Sequence, residues 1–429
     1  MRFFIIFLPF IYLFASNTPF DIYKKETNPS QHTLLIIGGI HGDEPGGYFA
    51  PAFLEKYYKI KSGNLWIIPN LNVDSIMANN RGINGDMNRK FSMIDKNDKD
   101  ILTVKRIKEI ILEKRVDLIL NLHDGFGFYR DVYEDVVFNP NSWGQATIID
   151  QEKIDDKFGN LDEIANQVKT NLNKDGLFEN FHAFNVKNTK TKQKDEEMRQ
   201  SLTFFAVTHN KPAFAIETSK NITDLTYKVI YQLKSIEEFM NIMDIKFERE
   251  FDINNFEDVK SKVYDFGKVT INNNISLNLS DIRNNIKFVP LKKENNKFEF
   301  SHTLGKVKFT DNRYEVYIGN IKVCDLSPQV FEMVNVQNKI KMIVDGKEIE
   351  TPLASQIDIK NDFKIFKSDL RANIIGFSKN GVDSEDDILI KKVDIQDVYS
   401  LDTNKSKYRV EFYKDGKFAG SIILNFQKK

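Results

Sequence analysis

His41 and Glu44 stand three residues apart in His41-Gly42-Asp43-Glu44, directly after an apolar run, residues 34–40 (LLIIGGI). Imidazole nitrogen and carboxylate oxygen are standard ligands of Zn²⁺. Two such groups at this spacing can face one ion if the backbone turns between them, and Gly42 permits a turn. A hydrolytic zinc takes three protein ligands and leaves a position for water. His123 is the best third ligand, because Asn121-Leu122-His123-Asp124-Gly125 closes a second apolar run, residues 116–122. Hydrolysis also needs a base for the attacking water. Glu217 ends the apolar run 213–216 (AFAI); half-buried there, its carboxyl is raised by desolvation towards a base's working range. Arg81 and Asn88-Arg89 share a polar, glycine-containing stretch, residues 79–89, after the run 65–69 (LWIIP). Guanidinium groups match carboxylates in bidentate geometry. One could clamp a terminal carboxylate while the other polarises a scissile carbonyl.

Other chemistry is narrowed by composition. The chain has one cysteine, so a disulfide within the chain and a cysteine-rich zinc site are both excluded. Of six histidines, His32, His182 and His302 carry no motif, and His209 in Thr208-His209-Asn210 reads as a surface turn. Lys+Arg and Asp+Glu both total 61, a balance that argues against nucleic-acid binding. Tyr129, Arg130 and Tyr133 follow the third ligand and read equally as groove-lining or packing residues. Cys324 reads as a small buried strand residue.

The elements that must position these groups follow from patterning. The apolar runs at 34–40, 65–69, 116–122 and 213–216 are expected to be strands buried on both faces. Residues 103–114 and 161–172 read as helices, and Ile222, Leu225, Val229, Leu233, Ile236 and Met240 mark a long amphipathic helix. This alternation predicts an α/β domain with a mixed, mostly parallel sheet and helices on both faces. His41, His123 and Glu217 then lie beyond the carboxyl ends of strands, where such sheets place their sites. After residue 246 the pattern becomes short alternating strands, with hairpin turns at Asp345-Gly346 and Asp415-Gly416. Two small all-β, immunoglobulin-like domains are expected. The charged stretch 185–199 reads as a mobile surface loop.

The N-terminus carries Arg2, an apolar run from 3 to 14, and Ala15-Ser16, the pattern of an export signal. The expected organisation is a signal peptide (1–16), a catalytic domain (17–246) and two β-sandwiches (247–338 and 339–429). Export into a bacterial periplasm, with no membrane span in the mature chain, is expected.

HGDE, RGINGDMNR, NLHDG and AIET, in that order, resemble the zinc carboxypeptidase A-like superfamily over about the first 245 residues. The resemblance implies one zinc per chain on His41, Glu44 and His123, with Glu217 as general base. It further implies that Asn88 and Arg89 hold the substrate's C-terminal carboxylate and that Arg81 stabilises the oxyanion. With a signal peptide and two β domains, the chain is most similar to the peptidoglycan carboxypeptidases that set helical cell shape in curved bacteria. That group trims stem tripeptides to dipeptides, releasing meso-diaminopimelate, which would make peptidoglycan stem peptides the binding partner. Some members carry Gln in place of the first metal-motif His; this sequence keeps His41. Two other readings are a zinc deacylase of the aspartoacylase or succinylglutamate desuccinylase type, which export disfavours, and a non-catalytic murein-binding protein, which an intact Glu217 disfavours.

Overall fold

A computed structural model describes residues 19–174, 182–336 and 339–427; the expected export signal, residues 1–16, lies outside them. The apolar runs form the middle of a seven-stranded sheet. Its order is Tyr23–Glu26, Asn64–Ile68, Thr33–Ile37, Leu118–Gly125, Ala213–Ser219, Ala146–Ile149 and Asn185–Asn188. The four strands from Asn64–Ile68 to Ala213–Ser219 run parallel. Tyr23–Glu26 and Ala146–Ile149 join antiparallel, so the sheet is mixed, as expected. Every residue of Thr33–Ile37, Asn64–Ile68 and Leu118–Gly125 is buried, which requires cover on both faces. The helices Pro45–Tyr57, Leu161–Asn173 and Leu225–Ile242 supply part of that cover, with Leu225–Ile242 packed against the other two.

Residues 185–199 depart from the expected mobile loop. They form the edge strand Asn185–Asn188, the helix Thr191–Lys194 and, continuing to residue 200, the 3₁₀ turn Met198–Gln200. Their order comes from a polar anchor, not an apolar pattern. The Thr191 hydroxyl donates to the buried Asp150 carboxylate, and Arg199 donates to the Thr191 and Lys192 carbonyls. Burial pushes Asp150 up to about 6, and threonine hydroxyls compensate for its desolvation.

Beyond residue 246 the chain is β-rich. Two sheets of three and four strands lie between residues 268 and 330, and two four-stranded sheets between 340 and 426. Asp345-Gly346 and Asp415-Gly416 close hairpins with all four residues at positive φ, as a type I′ turn demands. The last domain has its own apolar core, from Ile340 to Phe426. The core of the preceding sheets is continuous with that of the α/β domain. Gly319 lies so near Phe49 and Tyr48 that a Cβ there would come within 3.1 Å of both rings. Lys56 pairs with Asp265 at 2.7 Å across the same boundary. Cys324 is buried on a strand. Among the described residues, no helix is long and apolar enough to cross a membrane.

Candidate metal centre and substrate cleft

The helix Pro45–Tyr57 begins immediately after the first candidate ligand pair. Glu44 is its N-cap residue and Pro45 follows at its first turn, where a missing N–H is harmless. The glycines around the motif are required by close approach. A Cβ on Gly42 would lie 2.0 Å from the Ser75 backbone, and one on Gly47 would lie 2.6 Å from the Leu122 carbonyl oxygen. The backbone turns at Gly42 and Asp43, as expected, but without a left-handed φ at Gly42, so the close approach is what calls for glycine there. The effect is to press Glu44 against the strand that carries His123.

His41, Glu44 and His123 are 2%, 3% and 3% exposed. One potential ligand atom from each lies within 4.8 Å of the others, and among the described residues they form the one such group. His41 Nδ1 lies 3.0 Å from Glu44 Oε1, and His123 Nδ1 lies 2.8 Å from Glu44 Oε2. Both Nδ1 atoms therefore converge on one carboxylate, while both Nε2 atoms face outward to fixed partners. Asp86 Oδ1 is 2.8 Å from His41 Nε2, and Asn121 Nδ2 is 2.8 Å from His123 Nε2. Metal-bound imidazoles hold their second nitrogen on an acceptor, as His41 does on Asp86.

The donor set fits a metal ion by a further sign. Asn121 Oδ1 is buried and has no hydrogen-bond partner among the described residues. An imidazole that gives Nδ1 to a metal carries its proton on Nε2. Rotating the Asn121 amide would then place its orphaned oxygen as the acceptor for that proton. The buried His41-Glu44-His123 group suits a metal ion. Burial alone would lower the His41 imidazole, but Glu44 and Asp86 outweigh it and push it up to about 9. Burial lowers His123 against the pull of Glu44. Burial would raise Glu44, yet the two imidazoles hold it well below the usual carboxylate range.

The other expected residues surround this group. Glu217 is half-buried and in register with His123 on the neighbouring parallel strand. Burial pushes its carboxyl well above the ordinary value, and Glu44 and Asp124 push it further. Arg81 Nη1 donates to Glu44 Oε1 at 3.1 Å, and its Nε donates to Asp86 Oδ2 at 2.9 Å. Asn88 and Arg89 occupy the 3₁₀ turn Met87–Arg89, whose N-cap Asp86 accepts from the Asn88 N–H at 2.8 Å. Asn88 is buried and its Oδ1 accepts from Leu202 N–H. Arg89 Nε donates to Glu197 Oε1 at 2.8 Å. Asp86 thus touches His41, Arg81 and Asn88 at once.

Tyr129, Arg130 and Tyr133 separate. Tyr129 packs beside Trp143 against Ala146 and Ala215, Arg130 lies over the Phe138 ring, and Tyr133 is exposed. His209 is exposed on its turn, as expected. His302 is half-buried, and desolvation with Lys56 lowers it to about 4.

Sequence reasoning missed Asp86, Asn121 and the buried pair Lys228–Asp124, whose Nζ–Oδ2 distance is 3.0 Å. Asp86 and Asn121 carried no signal of their own. Lys228 did: it lies three residues after Leu225, on the face of Leu225–Ile242 that also buries Gln232. Gln232 Nε2 donates to the His123 carbonyl at 2.7 Å.

Residues 4–261 match the family described as the catalytic domain of a carboxypeptidase controlling helical cell shape. Residues 333–427 match the C-terminal domain of metallo-carboxypeptidases. The apo structure of the cell shape determinant Csd4 from Helicobacter pylori is 33% identical, with a TM-score of 0.88 over 95% of this chain and 100% of that one. The mDAP-bound form of Csd4, described as a D,L-carboxypeptidase, is 35% identical over 94% of this chain and 100% of that one, also at 0.88. A tripeptide-bound Csd4 structure is 34% identical over 95% and 100%, again at 0.88. No curated protein sequence matches the chain. The chain belongs to the family of metallo-carboxypeptidases that control helical cell shape.

Proposed function

We propose that this enzyme is a zinc carboxypeptidase that removes the terminal diaminopimelate from peptidoglycan stem tripeptides in the periplasm. The observation that carries the reading is Arg81 on Glu44 of the buried metal-type trio, with Asp86 joining His41 both to Arg81 and to the turn that carries Asn88 and Arg89. An exopeptidase must meet a free carboxylate, and these side chains provide the donors. Complexes of Csd4 with mDAP and with a tripeptide support the substrate class. The apolar N-terminal run supports export.

His41, Glu44 and His123 would hold one zinc per chain, which when bound supplies a Lewis acid for the scissile carbonyl and the attacking water. Glu217 takes the proton from that water and returns it to the departing amine. Its raised affinity for protons suits both transfers. Arg81 meets the negative charge that develops on the carbonyl oxygen. Asn88 and Arg89 hold the free carboxylate of the departing residue. Asp124 is a poor substitute base: it is 1% exposed and committed to Lys228, Thr218 and the Gly46 N–H.

Metal analysis of the purified protein should find one zinc per chain and none in His123→Ala. Asp86→Asn should weaken zinc binding about tenfold to a hundredfold in a chelator competition, the usual range for an outer partner of a metal-bound histidine. Unchanged affinity in both variants would reject the ligand set.

A charge-assisted hydrogen bond of the kind Arg89 offers contributes about 1.5–3 kcal/mol, equivalent to about tenfold to a hundredfold. An amidated tripeptide should therefore be cleaved less efficiently than the free acid by that factor. Arg89→Ala should shrink the difference. Equal wild-type rates on the two peptides would mean that the enzyme is not an exopeptidase. Mass analysis of products from whole muropeptides then identifies the bond cut.

A further inference from the structure

The arginine assigned to the substrate's carboxylate is already engaged on one edge. Arg89 gives its Nε–H to Glu197 Oε1 at 2.8 Å. Its Nη1 makes only a long contact to the Asn88 carbonyl, at 3.4 Å. Glu197 therefore fixes the guanidinium plane while leaving most of the Nη edge for a ligand carboxylate. Glu197 itself is incompletely used. Among the described residues its Oε2 accepts no hydrogen bond, and its side chain is 71% exposed.

The position of Glu197 is built, not incidental. Leu202 N–H donates to Asn88 Oδ1 at 2.9 Å, and Phe91 N–H donates to the Gln200 carbonyl at 2.9 Å. Met198 N–H donates to Asp195 Oδ1 at 2.9 Å. The first two bonds tie the chain around the turn Met198–Gln200 to the strip that carries Asn88 and Arg89, and the third fixes the start of that turn.

A carboxylate held beside a carboxylate-binding arginine sorts ligands by charge. It attracts a cation presented a few bonds from the clamped carboxylate. We propose that Glu197 is a specificity-determining residue that favours a departing residue whose side chain carries a second ammonium group. A diamino acid can place its free carboxylate on Arg89 and its distal ammonium on Glu197. This inference rests on the carboxylate-clamp reading of Arg89 given above.

The test uses the full zinc-loaded chain and two tripeptides that differ only in the last residue. One ends in diaminopimelate and the other in 2-aminopimelate, which lacks the distal amine. The wild type should prefer the diamino peptide in kcat/KM by about tenfold, in the range of a charge-assisted hydrogen bond that is partly open to solvent. Glu197→Gln should bring the ratio to within about twofold of one, chiefly through KM for the diamino peptide, and Glu197→Asp should restore part of it. If Glu197→Gln slows both peptides by the same factor, Glu197 only braces Arg89 and the inference is overturned. A wild-type ratio near one overturns it as well. Cleavage of neither peptide by the wild type rejects the substrate reading itself, and this inference falls with it.

Discussion

Glu217→Gln should keep the fold and the metal and lose about 10²–10⁴-fold in turnover, the usual consequence of removing a general base. The amide is nearly isosteric, but it has no basic oxygen to take a proton from the attacking water. Glu217 lies beside His123 in the sheet register and is not one of the trio that suits a metal, so zinc content should match the wild type. The substitution also removes a carboxyl that burial, Glu44 and Asp124 all push upward. The metal-free variant should therefore be at least as stable as the metal-free wild type near neutral pH. Turnover, zinc content and a denaturation curve separate these effects. A variant with normal rates rejects the base, and one that loses zinc as well shows that the residue serves the metal.

The second large effect concerns stability. Lys228 is 6% exposed and Asp124 1%, and the pair is the main charge compensation under the site. Lys228→Met should destabilise the protein by about 3–5 kcal/mol, because removing one partner strands a buried charge. The loss should depend on pH with a definite sign. Burial raises Asp124, and Lys228 is the largest influence holding it down. Without Lys228 the folded-state value rises further above the unfolded one. The folded variant then binds more protons than the unfolded chain between those two values, so its stability falls as pH rises through that window. The deficit should be largest at neutral and alkaline pH and shrink on acidification. Lys228→Met combined with Asp124→Asn should recover part of the loss. A deficit below about 1 kcal/mol at pH 8 would show that the pair does not behave as a buried ion pair.

The parts of this enzyme that were legible in its sequence share one cause. Strands buried on both faces must be apolar throughout, so the runs ending at His41, His123 and Glu217 stand out, and their carboxyl ends mark the site. The Asp-Gly hairpins were equally plain, because few residue pairs accept two positive φ angles. The remainder depends on contacts between distant segments. Asp86 reaches His41 from another loop, and Asn121 looks like any polar residue before the ligand motif. Residues 185–199 lack apolar periodicity, the pattern of a loose loop, yet Asp150 and Thr191 order them through buried polar bonds. Hydrophobic patterning cannot register a segment anchored in that way. Gly42 was read as permitting a turn, and the chain does turn there; what patterning could not show is that the Ser75 backbone lies 2.0 Å from where its Cβ would be.

The continuous core between the α/β domain and the sheets that follow it has a practical consequence for how this enzyme is dissected. The helix Pro45–Tyr57 starts at Glu44 and is walled on its far side by Gly319, His302 and Asp265. A fragment cut after residue 246 would bare the flank of the very helix that Glu44 caps. Phe49, Phe53 and Tyr57 would face water, and their rings would invite self-association. The middle β region is thus a buttress for this helix as well as whatever else it does, and a fragment that proved inactive would say little about catalysis. Point substitutions in the whole chain are the informative way to separate the two roles.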